Sequence, residues 1–286
     1  MNKSLAAKRI LVTGASRGLG LAIAREMSKC GGELLLVSSS DDRLRNAVAA
    51  LRSERPCPPL HSIAADLAQP EAAAKILDQV STLWGNFDVL VNNAAIVGPI
   101  GPLWENDWVE WVRTIQVNLL SPVAICRLSV PLLNDGAVIL NLSGGGATAP
   151  RPRFSAYGTA KAGLVRFSET LAAEVQDRRI RVNCIAPGAM NTQMLEQVLR
   201  AGADSCGNRE YEQARKQEAQ GGVSPELAAE LCVFLASESG RGISGRLISA
   251  VWDPWKGLGE FAAELRESDI YTLRRVLPND RGKTWG

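Results

Sequence analysis

Histidine is nearly missing, since His61 is the only one in 286 residues. An imidazole-based catalytic triad or a histidine-rich metal site has almost nothing to draw on, so no resident metal is expected. His61 itself reads as a loop or strand-edge residue. Cysteine is scarce too: six residues with no Cys-x-x-Cys pair. Neither a zinc module nor a disulfide scaffold is expected. Cys30, Cys126, Cys184 and Cys232 fall inside apolar patterns and read as small core residues, in a reducing, cytoplasmic compartment. Charge of one sign is lacking as well. A net +2 gives no strong field for nucleic acid or an anionic membrane. No uninterrupted apolar run reaches membrane-spanning length. There are no repeats and no low-complexity linker. The first nine residues lead straight into a strand and do not read as a signal peptide. With 46% hydrophobic and 22% charged residues, one large α/β domain fits better than two small ones.

What is present begins with Arg9–Thr13, a short apolar strand. Gly14-Ala-Ser-Arg-Gly18-Leu-Gly20 follows, and then Leu21, Ile23, Ala24 and Met27 repeat at helical spacing. In such a strand–loop–helix unit Gly14 allows the tight turn. Gly18 lets backbone approach a pyrophosphate, and Gly20 lets helix pack on strand. The helix N-terminus offers free N–H groups and a positive dipole end to phosphates.

Tyr157 and Lys161 stand one helical turn apart. A phenol titrates near ~10, but a neighbouring ammonium favours the phenolate. The pair reads as a proton donor and acceptor for an alcohol/carbonyl couple, the phenol made acidic by the lysine.

Between these motifs strands alternate with helices. Glu33–Ser38 is the second strand, ending in Ser38, Ser39 and Ser40 with Arg17 and Arg43 nearby. An acid at that end would hold the ribose 2′-OH of NAD, whereas hydroxyls and guanidinium groups suit the 2′-phosphate of NADP. Asp41 and Asp42 come slightly late for the first role. A helix over 41–55 is closed by Pro56. Residues 60–65 form the third strand, and Asp66-Leu67 after it offers either an acceptor for an adenine amino group or a cap for a helix from Glu71. Phe87–Asn92 is the fourth strand, running into Asn93-Ala94-Ala95, small enough to pass beneath a cofactor. A long helical pattern over 104–133 has Asn118 at its middle. There the amide marks a distortion exposing a carbonyl or holding a water, or simply hydrogen-bonds. Residues 137–141 are the fifth strand, before a loop opening Ser143-Gly-Gly-Gly. Residues 179–185 are the sixth, and 242–250 a short seventh. The polar segment 193–222 is a candidate substrate lid. Arg151 and Arg153 border the expected mouth and read either as two solvated loop arginines or as a sign of a polar substrate such as an anionic one. The pattern predicts a Rossmann-type doubly wound α/β fold. About seven parallel strands carry helices on both faces, with ligands at the strands' carboxyl ends.

Taken together, Thr13-Gly-Ala-Ser-Arg-Gly-Leu-Gly20, Asn92-Asn-Ala-Ala95, Asn118, Asn141-Leu-Ser143, Tyr157-x-x-x-Lys161, Asn183 and Pro187-Gly188 with Thr192 closely resemble the short-chain dehydrogenase/reductase family over about residues 7–250. The resemblance implies an NAD(P)(H)-dependent oxidoreductase acting on a secondary alcohol and a ketone, with NADP(H) favoured. It implies a small-molecule substrate, and dimers or tetramers packed through the Tyr157 helix. It places Gly14, Ser16, Arg17, Gly18, Leu19, Gly20, Ser38, Ser39, Asp66, Leu67, Asn93, Ala94 and Ala95 along the nucleotide. Tyr157 would exchange the proton, Lys161 hold the nicotinamide ribose, and Asn118 position a water. Pro187, Gly188 and Thr192 would hold the carboxamide, with Ile185 against the ring. The family's serine usually lies thirteen residues ahead of the tyrosine, where this chain has Gly144. Ser143, Thr148 and Ser155 are the candidate replacements, Ser143 first. That departure leaves two alternatives open: an epimerase or dehydratase that recycles its cofactor, and a weakly catalytic scaffold. The catalytic domain is expected over 1–251. A C-terminal extension over 252–286 is expected to dock on it, or on a neighbouring subunit, through Phe261, Leu265, Ile270, Leu273 and Val276.

Overall fold

The computed structural model describes residues 3–54 and 57–285. The strands are β1 (Arg9–Thr13), β2 (Glu33–Ser38), β3 (Leu60–Ala64), β4 (Phe87–Asn92), β5 (Leu133–Leu142), β6 (Arg181–Ala186) and β7 (Leu247–Ser249). They form one sheet in the order β3-β2-β1-β4-β5-β6-β7, with every neighbouring pair parallel. Between the strands run α1 (Gly18–Lys29), α2 (Asp41–Glu54), α3 (Ala72–Trp84), α4 (Trp108–Ile115), α5 (Ser121–Ser129) and α6 (Ser155–Glu174). After β6 come α7 (Gln193–Cys206), α8 (Asn208–Gln220) and α9 (Pro225–Ala236), and α10 (Ala262–Glu267) lies in the tail. The residues expected to close α2, Arg55 and Pro56, lie outside the described residues.

The strands β1 and β2 read as near-continuous apolar runs because both faces of the sheet are covered there. Successive side chains point to opposite faces. Ile10 and Val12 enter the core beneath α1, α2 and α9 with Ile23, Leu44 and Leu231. Leu11, between them, enters the second core beneath α3, α5 and α6 with Ile76, Ile125 and Leu171. Each such fully buried side chain contributes roughly 1.5–3 kcal/mol. A one-residue slip of register would expose both sets together.

The largest departures from the expected strand boundaries are in β7 and β5, while β3 and β6 shift by one or two residues. β7 spans only Leu247–Ser249, because Gly242 and Gly245 take left-handed φ of +82° and +71° and turn the chain before it. β5 starts earlier, at Leu133, and absorbs Gly136 at φ +79° with a register shift opposite Phe87 and Val89. The long helix expected over 104–133 is broken into α4, a π-helical turn at Gln116–Leu120, α5 and a 3₁₀ turn. By length and composition alone Trp108–Leu132 reaches the size of a membrane span, but Glu110, Arg113, Asn118 and Arg127 interrupt its apolar run, as expected. Its inner residues Ile125 and Cys126 pack into the sheet's core. Its outer face, with Trp104, Trp108, Val109, Val112 and Leu120, is exposed.

The tail docks on its own subunit. Trp255 is buried, edge-on to Phe234, and Leu258 and Leu265 join the core under α9. The buried Arg246 donates to the carbonyls of Ser268 at 3.0 Å and Ile270 at 2.9 Å. Leu247 N donates to Tyr271 O at 2.8 Å, which covers the last edge of the sheet. Leu273 N donates to Glu169 on α6 at 2.6 Å, and Arg166 donates to Leu273 O. Of the five docking positions expected, Leu265 and Leu273 pack inward, whereas Phe261, Ile270 and Val276 are exposed.

Candidate active site

The strand order reverses between β1 and β4, which opens a crevice at their carboxyl ends. Gly14 there has φ +64°, and a Cβ on it would lie 2.8 Å from Ala94 Cα. A Cβ on Gly20 would lie 2.1 Å from Gly14 O. These two glycines let loop, strand and helix close on one another. Gly18 differs: its φ is +53° and a Cβ would meet nothing within 4 Å. Its backbone faces the open cleft. No side chain caps α1 and no acid stands in its first turn, so its N–H groups are available to an anion. Buried Thr13 Oγ1 accepts from Asn93 N at 3.0 Å and Ala94 N at 3.2 Å. Asn93 Nδ2 donates to Thr13 O and Gly14 O. Asn93 thus braces the glycine loop, and Thr13, which the sequence reading left out of the site, is its counterpart.

At the end of β2, Ser16 Oγ and Ser38 Oγ are 2.9 Å apart, and Arg17, Ser39 and Arg43 complete that corner. Asp41 and Asp42 are turned to Arg45 and do not line the cleft. Asp66 and Leu67 do line it. Asp66 does not cap the next helix. Its Oδ1 accepts from Ala68 N at 3.1 Å, and α3 starts only at Ala72.

The cleft holds about 1440 Å³ and runs from this corner past Leu19 and Ala95 to Ser143, Tyr157 and Lys161. Pro187, Gly188 and Thr192 form its far wall. Glycine is required at 188, where φ is +90° and a Cβ would lie 2.6 Å from Val251. Ile185 does not reach the cleft. It is fully buried in the core, and its carbonyl accepts from Ser143 N at 2.8 Å. Arg113 and Met194 also line the cleft. No motif marked them, because the fold brings them in from distant helices.

The helix bearing Tyr157 is pinned by a buried polar chain. Asn92 Nδ2 donates to Asn141 Oδ1 at 2.9 Å, Asn141 Nδ2 to Ser168 Oγ at 2.7 Å, and Ser168 Oγ to Leu164 O at 2.7 Å. Lys161, buried to 2% exposure, donates to Leu142 O at 2.7 Å. Burial pushes its pKa down to about 8. Burial also pushes the Tyr157 phenol up, and the cation that opposes this is Arg151. The expectation of a phenol made acidic by Lys161 is therefore corrected: desolvation wins.

Asn118 is fully buried at the centre of the π turn. Its amide is spent on Ile96, donating to its O at 2.7 Å and accepting from its N at 2.9 Å. Distortion and plain hydrogen bonding are both present. A π turn also leaves one carbonyl outside the usual helical ladder.

Gly144 packs against the phenol. A Cβ there would lie 2.3 Å from Tyr157 Oη, so a serine would fit only if the ring moved. Ser143 Oγ is buried without a hydrogen-bond partner and lies on the cleft wall. Thr148 also lines the cleft, whereas Ser155 Oγ is engaged by Trp111 Nε1 at 3.0 Å. Arg151 and Arg153 are not free for an anion. Arg151 pairs with Glu210 of α8, and Arg153 donates to Asp204 O at 2.6 Å and Ser205 O at 3.1 Å.

A glycine cradle, an uncapped helix end and a Tyr/Lys pair on one crevice thus coincide in one chain. The family model described as enoyl-(acyl carrier protein) reductase matches residues 14–250. The chain belongs to the short-chain dehydrogenase/reductase family. A 3β-hydroxysteroid dehydrogenase from Eggerthella lenta is 34% identical, over 86% of this chain and 92% of that one. The fold matches L-sorbose reductase from Gluconobacter frateurii, solved with NADPH and L-sorbose. Its TM-score is 0.77 at 31% identity, over 87% of this chain and 97% of that one. A short-chain dehydrogenase from Burkholderia cenocepacia, solved with NADP, gives 0.74 at 29% identity, over 86% and 97%. As a short-chain dehydrogenase/reductase this chain is an oxidoreductase of the kind that interconverts alcohols and ketones.

Proposed function

We propose that the protein is an NADP(H)-dependent oxidoreductase for a secondary alcohol/ketone pair, with Tyr157 as its acid/base. The supporting observation is that Tyr157, Lys161 and the unpartnered Ser143 Oγ share one cleft with the glycine cradle. The residues fit a dinucleotide. Gly18 backbone and the α1 N-terminus meet the pyrophosphate, Asp66 and Leu67 the adenine side, and Thr192 and the backbone after Pro187 the carboxamide. When bound, the nicotinamide supplies or accepts the hydride. Tyr157 Oη gives its proton to the substrate oxygen or takes it back, Ser143 Oγ donates a hydrogen bond to that oxygen, and Lys161 holds the ribose. The carbonyl freed at the Asn118 turn holds a water that refills the phenol. The segment 193–222 closes over the substrate.

The 2′-phosphate preference rests on Ser38, Ser39, Arg17 and Arg43 at the β2 corner, with Asp41 and Asp42 turned to Arg45, and on the NADP found in similar structures. Fluorescence titration is expected to give a dissociation constant at least about tenfold lower for NADPH than for NADH, one charge-assisted contact being worth 1.5 kcal/mol or more. Tighter NADH binding would overturn this preference. Ser143 Oγ on the cleft wall supports this reading over the alternatives opened by Gly144.

We place the protein in the cytoplasm on its six free thiols. A second copy docks on the exposed face of Trp104, Trp108, Val109, Val112 and Leu120, which borders the Tyr157 helix. Trp108→Glu is expected to turn a dimer or tetramer into monomer in sedimentation velocity. A wild-type monomer would rule the interface out.

A further inference from the structure

We propose that Arg151 is a positioning residue for the reaction, a guanidinium held against the Tyr157 phenol by Glu210 of the lid, so that lid docking governs the proton affinity of that phenol. This rests on the reading of Tyr157 as the proton-handling group.

The triple glycine after Ser143 is the bed for this arrangement. Gly144 leaves room for the phenol oxygen, where a Cβ would intrude to 2.3 Å. Gly145 faces the guanidinium, its Cβ position 3.6 Å from Arg151 Nη1. Gly146, at φ +92°, lets the loop pass Gly158 of α6, where a Cβ would lie 3.0 Å from its Cα. Arg151 then stacks on Phe154 at 3.9 Å and stands 5.8 Å from the Tyr157 ring centroid. Its Nε donates to Glu210 Oε1 at 3.1 Å. Both partners of this pair are half-buried, at 24% and 27% side-chain exposure, so the charge is only partly screened.

Lys161 Nζ is slightly closer to the ring, at 5.7 Å. The two cations differ in what holds them. Lys161 donates to Leu142 O of the sheet at 2.7 Å. Arg151 is held by Glu210 of α8, and an arginine keeps its charge throughout. Arg151 is therefore the cation whose place the lid sets. Other charged or titratable groups around the phenol are Arg113 on α4, Cys184 behind Lys161, and Glu196, Cys206 and Lys216 on the lid. Arg153 is turned to the lid carbonyls. The group bonded to Arg151 is Glu210, not one of these. Removing its charge frees the guanidinium to act on the ring.

The chain has three tyrosines, so the phenolate absorbance of Tyr157 can be isolated as the difference from a Tyr157→Phe protein. It is read by stopped flow after a pH jump, ahead of alkaline unfolding. In full-length Arg151→Gln the titration is expected to move up by about one pH unit, and in Glu210→Gln to move down. Arg151→Lys should fall between wild type and Arg151→Gln, and the pH profile of kcat should follow the same order. An unmoved titration in Arg151→Gln would overturn the proposal. So would shifts of the same direction in Arg151→Gln and Glu210→Gln, the mark of a lid that has merely loosened. Opposite shifts in a protein that reduces no ketone would sustain Arg151 and sink the function proposed above. Fixed titrations in an active ketoreductase would do the reverse.

Discussion

Tyr157→Phe is expected to lower kcat for ketone reduction by about 10²–10⁴-fold while NADPH still binds. The change deletes a single oxygen. The ring stays buried beside Phe154 and Val198, and the glycine cradle is untouched. A fold-wide disturbance therefore has no cause, and the loss reports on the proton. The raised phenol pKa adds a direction. At neutral pH the phenol holds its proton, which suits the donor needed in reduction. Alcohol oxidation needs the phenolate, so its rate should climb with pH through the alkaline range, and the reduction rate should fall there. Initial rates in both directions across pH would check this. Unchanged turnover in Tyr157→Phe would remove Tyr157 from the chemistry.

Lys161→Met is expected to abolish most turnover and yet to raise the thermal unfolding midpoint at pH 7 by several degrees. The lysine is a buried cation with one main-chain acceptor, Leu142 O. Its pKa falls from 10.5 to about 8. The folded state thus binds fewer protons than the unfolded state between those values, and stability rises with pH across that window. Below about pH 8 the full cost of the buried charge is present, on the order of 3 kcal/mol. Methionine fills similar space with no charge to desolvate. The advantage of the variant should shrink as pH climbs from about 8 towards 10.5, because the wild-type lysine sheds its proton. Calorimetry at a series of pH values would measure it. A variant less stable than wild type at pH 7 would show that the ammonium is held by more than that carbonyl.

Site and frame were legible to different degrees. Gly14, Gly18 and Gly20 declare themselves because a tight turn, a naked backbone and a helix–strand contact each exclude a Cβ, and such constraints are local. Ser38 and Ser39 are found by the same logic, through their place after a strand. Ile185 was misplaced because a strand residue's face depends on register with its neighbours. Arg151 and Arg153 were read as free cations because their partners, Glu210 and the carbonyls of Asp204 and Ser205, lie more than fifty residues on. The acidity of Tyr157 was misjudged for a related reason. Spacing shows that a lysine is near, but burial is a property of the whole packed molecule, and here it outweighs the charge.

Residue order alone thus gave the alternation of seven strands with helices, the sheet edge that carries the cleft and the one-turn spacing of Tyr157 and Lys161, since periodicity and glycine sterics act within a few positions. Packing between distant segments decided the rest. It set Gly144 under the phenol, left Ser143 Oγ without a partner, bound the 193–222 segment to Arg151 and laid the tail along its own sheet edge. Desolvation and ion pairing arise only once those segments meet.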